Sequence, residues 1–225
     1  MTKRILDILI SFLCILMLSP IIILALTLVW LEDGRNPLYL GRRVGKDFVI
    51  FKMVKIRSMV MDADRSGLES TSSDDERITF IGQYIRRLKL DEILQLWNVL
   101  AGDMSLVGPR PNTLREVQKY TEHEKLLLTV KPGITDFSSV LFSNEGELLK
   151  GTVDPELHYE KYIRPLKSKL GLFYIDRRSN ILDVKIILIT AIGVFSRTIS
   201  VRTLFSLLKD CRIDTKLLDE AARYR

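Results

Sequence analysis

MTKRILDILISFLCILMLSPIIILALTLVWLEDG, residues 1–34, decides the architecture. From Ile8 to Leu31 it holds no charged residue, a run about long enough to cross a bilayer. A cleaved leader would be shorter and would end in an A-x-A-like site, and none follows. Ser19-Pro20 falls in the middle of the run. Proline removes a backbone donor and clashes with the preceding turn, so a kink or break is expected there. A neighbouring serine can satisfy the freed carbonyl inside a membrane. Lys3 and Arg4 precede the run, and Arg35, Arg42, Arg43 and Lys46 follow it. Positive charge on both sides gives a spanning helix no preferred orientation. Two arrangements stay open: a span, and a helix that enters and turns back.

The 225 residues suffice for one good-sized domain or two small ones. The 34 basic against 28 acidic residues leave a net charge of +6. Such a modest excess suits nucleic acid or an anionic membrane face, and an adjoining apolar anchor favours the membrane. Cys14 and Cys211 make neither a disulfide framework nor a zinc-type spacing. A second apolar run, Ile186 to Phe195, is too short to span. With Arg197 and Arg202 beside it, it suits the membrane interface or a buried core helix.

Between these runs, residues 37–59 read as two short strands around a turn near Gly45 and Lys46, with Lys52, Lys55 and Arg57 projecting from the ribbon. Asp62 to Arg77 reads as a polar loop, and Ile78 to Leu88 as a helix bearing Arg86 and Arg87. Leu90, Ile93, Leu94, Trp97 and Leu100 follow helical spacing, which places Asp91 and Glu92 at a helix start and Gly102 at its end. VGPRP, residues 107–111, is stiff and extended around Arg110. Thr113 to Lys125 reads as a helix, VKPGIT (130–135) as a turn, and the tail after Val201 as a partner-binding helix or a domain cap.

Acidic residues in a first helical turn are ordinarily structural. A chemical role is also open. The free N–H groups and partial positive charge of a helix start favour an ionised Asp91, which is a usable nucleophile toward phosphorus. Glu92 adds a carboxylate, and Mg²⁺ binds well between carboxylates and substrate phosphates. Arg86 and Arg110 carry guanidinium forks that match phosphate.

At these residues the chain resembles the bacterial sugar transferase family, the small monotopic phosphoglycosyl transferases. The matching segments are KRILD (3–7), SP (19–20), FKMVKIRSM (51–59), IRRLKLDEILQLWNVLAGDMSLVGPRP (85–111), KPGIT (131–135) and ILDVKIILIT (181–190). The resemblance implies an α+β, mostly helical fold. A re-entrant helix-break-helix at Ser19 and Pro20, a small β-hairpin and interfacial amphipathic helices would surround an active site on the cytoplasmic face. It implies a membrane anchor over 1–34, a catalytic domain over 35–200 and a helical tail over 201–225. The activity implied is transfer of a sugar 1-phosphate from a UDP-sugar to polyprenol phosphate, with release of UMP, to begin a surface glycan. Asp91 would be the nucleophile that carries a covalent phospho-sugar. Glu92 would hold Mg²⁺. Arg86 and Arg110 would bind phosphate, and Arg57 and Asp183 would complete the substrate site. Localisation would be monotopic at the bacterial inner membrane. The partners would be donor, acceptor and membrane lipid rather than nucleic acid, and a homo-oligomer is compatible with this.

Two departures stand out. Lys89 replaces the serine of the frequent LSLDELPQL pattern, so a capping box is lost. ITDFSSVLFSNEGELL (134–149) has no arginine where ITGWAQVNGRN has one, which leaves the sugar undetermined. The alternative reading is a degenerate or non-enzymatic membrane-surface module.

Overall fold

The computed structural model describes residues 2–63 and 71–225. Its first element is one long helix, α1 (Thr2–Asp33), with Pro20 inside it. The helical element runs on through Ser19-Pro20, where a break was expected. The cause is local. Proline at position 20 deprives the Leu16 carbonyl, four residues back, of its usual donor, and the Ser19 hydroxyl donates to that carbonyl at 2.8 Å.

Both ends of α1 are fastened to the same body. At its start, Lys3 pairs with Asp183 and donates to the Val107 carbonyl at 3.0 Å. Arg4 donates to the carbonyls of Val99 and Leu100, and Asp7 accepts the Leu106 N–H at 3.1 Å. At its end, both oxygens of Asp33 accept from Arg57 at 2.6 and 2.7 Å, and Glu32 accepts the Ile81 N–H. Lys3 and Arg4, read from the sequence as charges flanking the apolar run, have protein partners. Between the two fastenings Phe12, Leu16 and Met17 are exposed. Among the described residues, α1 is the one helix long and apolar enough to cross a membrane.

Strands β1 (Leu38–Val44) and β2 (Ile50–Ile56) form the expected antiparallel hairpin, with Leu38 opposite Ile56 and Val44 opposite Ile50. Alternation along β2 turns Phe51 and Met53 inward and Ile50 and Lys52 outward. The expected polar loop lies in part outside the described residues; beyond that gap Asp75 pairs with Arg77 at 2.7 Å. Helix α2 (Phe80–Arg87) follows, N-capped by Thr79, whose side chain accepts the Gly82 N–H.

The helix expected from Leu90 onward is split. A 3₁₀ turn spans Leu90–Glu92, and α3 spans Gln95–Ala101, closed by Gly102 at φ 96°. Lys89 takes a left-handed conformation (φ 55°) and caps nothing with its side chain, the consequence of losing the serine. Asn98 on α3 stitches this helix to β2. Its amide accepts the Val54 N–H at 2.9 Å and donates to the Lys52 carbonyl at 2.8 Å.

KPGIT is a strand rather than a turn. Strands β3 (Ser105–Val107) and β4 (Gly133–Thr135) pair in parallel. A Cβ on Gly133 would lie 2.1 Å from the Gly108 nitrogen, so two glycines are needed where these backbones touch. Gly108 N–H donates to Thr135 O at 3.0 Å and Gly133 N–H to Pro109 O at 2.9 Å. The helix expected over Thr113–Lys125 shrinks to α4 (Leu114–Val117), with a 3₁₀ turn over Glu124–Thr129.

Helices α5 (Phe137–Leu141), α6 (Glu145–Leu149), α7 (Pro155–His158), α8 (Arg164–Arg177), α9 (Asn180–Phe195), α10 (Arg197–Asp210) and α11 (Thr215–Ala222) complete the molecule. Phe137, Leu141, Leu149, Leu170, Ile186, Leu204 and Leu208 form its fully buried centre. The tail beyond Val201 supplies part of that core. Helix α9 is a core helix on one side, where Leu182, Ile186 and Ile189 are buried, while Ile181, Leu188, Val194 and Phe195 are exposed. The architecture is mostly helical with small sheets.

Asn98→Ala orphans two backbone groups, at roughly 1–3 kcal/mol each. The melting temperature should fall by about 5–10 °C, measured by differential scanning fluorimetry in detergent.

Candidate active site

The hairpin, the 3₁₀ turn and the extended segment after β3 enclose a cavity of about 1080 Å³. Lys55 reaches it from β2, Arg86 from α2, Asp91 and Glu92 from the 3₁₀ turn, and Arg110 from beyond Gly108. Among the described residues nine cationic side chains line it against five carboxylates. A cleft with this excess of positive charge attracts polyanions.

Glu92 is held on both oxygens. Oε2 accepts from Arg110 Nη1 at 2.8 Å, while Oε1 accepts from Arg110 Nη2 and from Lys55 at 3.1 Å. Arg110 is itself aimed by the Ile134 carbonyl of β4, 2.9 Å from Nη1. Burial opposes ionisation of Glu92, but Arg110 and Lys55 outweigh it and hold the carboxyl well below its usual range.

Asp91 differs. It is buried, and none of the described residues hydrogen-bonds its carboxylate. Burial pushes its carboxyl above the usual range against the pull of Lys55, with Glu92 adding to the rise. The expectation that helix-terminal N–H groups favour an ionised Asp91 is therefore corrected: α3 starts four residues later, at Gln95. Arg86 lines the cavity and makes no ion pair among the described residues.

The other two expected substrate residues are committed elsewhere. Arg57 lines the cavity, but its guanidinium is spent on Asp33 and on the Asn36 carbonyl at 2.8 Å. Asp183 is absent from the cavity wall. It is buried against Lys3 and accepts from the Tyr174 hydroxyl at 2.7 Å.

Lys55, Glu116 and Glu145 bear directly on the cavity. Lys55 could be placed from the hairpin's alternation, since it shares the inward face with Met53. Glu116 and Glu145 had no local signal. Glu145 occupies the stretch without arginine and pairs with Lys167. Glu116, Glu156 and Glu160 bring ligand oxygens within 4.8 Å of one another. Lys119 pairs with both Glu116 and Glu160, and Arg164 with Glu160, so this cluster is largely neutralised. At the Asp91–Glu92 pair the donor chemistry does fit a hard cation. Asp91 is open, and Glu92 Oε2, accepting one bond, keeps a lone pair.

The model of the bacterial sugar transferase family matches residues 1–197. The chain belongs to the bacterial sugar transferase family. This sugar transferase is 33% identical over 188 residues to the uncharacterized sugar transferase EpsL of Bacillus subtilis, covering 84% of each chain. It is 35% identical over 159 residues to the exopolysaccharide production protein ExoY of Sinorhizobium fredii, covering 64% of this chain and 70% of that one. It is 36% identical over 170 residues to the galactosyl transferase CpsE of Streptococcus agalactiae, covering 71% of this chain and 34% of CpsE. The chain thus spans about a third of CpsE's length.

Asp183→Asn weakens the anchor beneath Lys3 and Tyr174. It should lower stability by about 1–3 kcal/mol. Donor KM should stay unchanged within about twofold, since removing a direct hydrogen bond to substrate would raise it about tenfold. Intact stability with a tenfold-higher KM would place Asp183 at substrate instead.

Proposed function

We propose that this chain transfers a sugar 1-phosphate from a UDP-sugar to a polyprenol phosphate and releases UMP, initiating a surface glycan. The family membership supports the transfer. A relative from Salmonella typhimurium, 37% identical over 161 residues, is named an undecaprenyl-phosphate galactose phosphotransferase. The observation that carries the reading is the contrast between two neighbouring carboxylates: Glu92 is fully paired, whereas Asp91 is buried and unpaired in a cationic cavity.

In the first half-reaction an Asp91 carboxylate oxygen attacks the phosphorus that bears the sugar. The Asp91–phosphorus bond forms, and the bond from that phosphorus to the bridging oxygen breaks. The electron pair leaves with UMP. In the second half-reaction a polyprenol phosphate oxygen attacks the same phosphorus and expels Asp91 as a free carboxylate. Arg86 and Arg110 bind phosphate oxygens, and Arg110 exchanges part of its hold on Glu92 for them. Glu92 would hold a magnesium ion, which would neutralise charge on the diphosphate. Burial raises the Asp91 carboxyl above its usual range, and the cationic side chains of Lys55, Arg86 and Arg110 favour its carboxylate form.

We place the protein on the cytoplasmic face of the inner membrane, with both ends of α1 on that side and its exposed middle in the lipid. The support is that residues 3–7 and 32–33 both bind one globular body, and Pro20 lies between them.

Asp91→Asn should abolish UMP release from UDP-sugars with polyprenol phosphate, by at least about 10³-fold. Its melting temperature should hold or rise, because a buried unpaired carboxyl is removed. In wild type, intact-mass analysis should find a phospho-sugar adduct at residue 91; turnover in the variant would refute the mechanism. For topology, Thr2→Cys and Asn36→Cys, each in a background without Cys14 and Cys211, should label from the same side of spheroplasts. Opposite-side labelling would mean a span.

A further inference from the structure

The last residue of the family match and residues beyond it build a second cavity that the proposed reaction does not use. It has a volume of about 240 Å³ and is lined by Arg197, Thr198, Val201, Arg202 and Arg225. Three arginines meet there, and no Asp or Glu side chain lines it. Arg197 donates from Nη2 to the Tyr224 carbonyl at 2.9 Å and to the Leu141 carbonyl at 3.4 Å. Its Nε is shut away from solvent and meets no acceptor. Arg197 and Thr198 also open the 14-residue helix α10. Their backbone N–H groups have no intrahelical partner, and the helix terminus carries partial positive charge. Arg202 forms no ion pair among the described residues, and the Arg225 guanidinium lies over the Phe205 ring, 5.6 Å from its centroid.

These features together call for one compact anion with several acceptor oxygens. We propose that this cavity binds a phosphate group, carried as the headgroup of an anionic membrane lipid. The lipid assignment comes from the adjoining surface. At the joint between α9 and α10, Val194, Phe195 and Ile199 are 72%, 92% and 55% exposed. Phe195 stands two residues from Arg197, so headgroup and acyl chain would each find a matching surface. A free phosphate would use only the arginines. The site is separate from Asp91, since none of its residues lines the larger cavity.

The test is native mass spectrometry of the full chain released from detergent. It would be titrated in parallel with phosphatidylglycerol, with phosphatidylcholine of the same chain length, and with inorganic phosphate. Wild type should retain phosphatidylglycerol in preference to phosphatidylcholine. Arg202→Gln with Arg225→Gln should cut that retention about tenfold, because two charge-assisted hydrogen bonds are removed, and Lys at both positions should restore most of it. Both side chains are exposed, and UMP release should be unchanged, which shows that the variant is folded and separates this site from the reaction. Equal retention of the two lipids, or no change in the Gln variant, would overturn the proposal. So would full displacement of the lipid by equimolar inorganic phosphate, which would mark the cavity as a free-anion site.

Discussion

Glu92 sits between Arg110 and Lys55, and this three-membered charge cluster ties together three separate elements of the chain. Lys55 comes from the hairpin, Glu92 from an isolated 3₁₀ turn and Arg110 from a segment stiffened by two prolines. Each is placed by something simpler. The register of β1 and β2 points Lys55 inward. The touching backbones at Gly108 and Gly133 fix where the chain turns toward Arg110. Half-buried charges are costly to leave unpaired, so the cluster commits all three elements to one arrangement.

Asp91 stands outside that settlement. It has burial without compensation, an arrangement that costs stability and that clusters at functional sites. The two carboxylates are adjacent in sequence, yet their surroundings push their acidities in opposite directions. The 3₁₀ turn makes this possible. In a regular α-helix starting at Leu90, the first-turn N–H groups would have offered Asp91 partners.

Much of this was readable from the residues, and what was not has a physical reason. The apolar run of α1, the hairpin, the Gly102 stop and the Asp91–Glu92 pair are local signals, and local signals survive folding. Strands β3 and β4 are only three residues each and pair across 28 residues, so no periodicity announces them. The partners of Arg57 and Asp183 lie 24 and 180 positions away. Both look like free charges in the sequence, and both are consumed in holding α1 down. The split between Glu92 and Gln95 is equally silent, because Ile93 and Leu94 fit helical spacing whether or not the helix is continuous. At Pro20 the rule that proline breaks helices was outweighed by one hydroxyl one residue earlier.

The double fastening of α1 has a mechanical consequence. A 32-residue helix pinned at both ends behaves as a beam resting on two supports rather than as a mast. Its exposed middle can sink into lipid only as far as the supports allow, so the depth and tilt of the whole body are set together. Under the proposed arrangement the mouth of the cavity then stands at a constant height above the bilayer. A long-chain acceptor would need no lifting out of the membrane, because the protein holds its reactive carboxylate at the level where that acceptor's phosphate already floats.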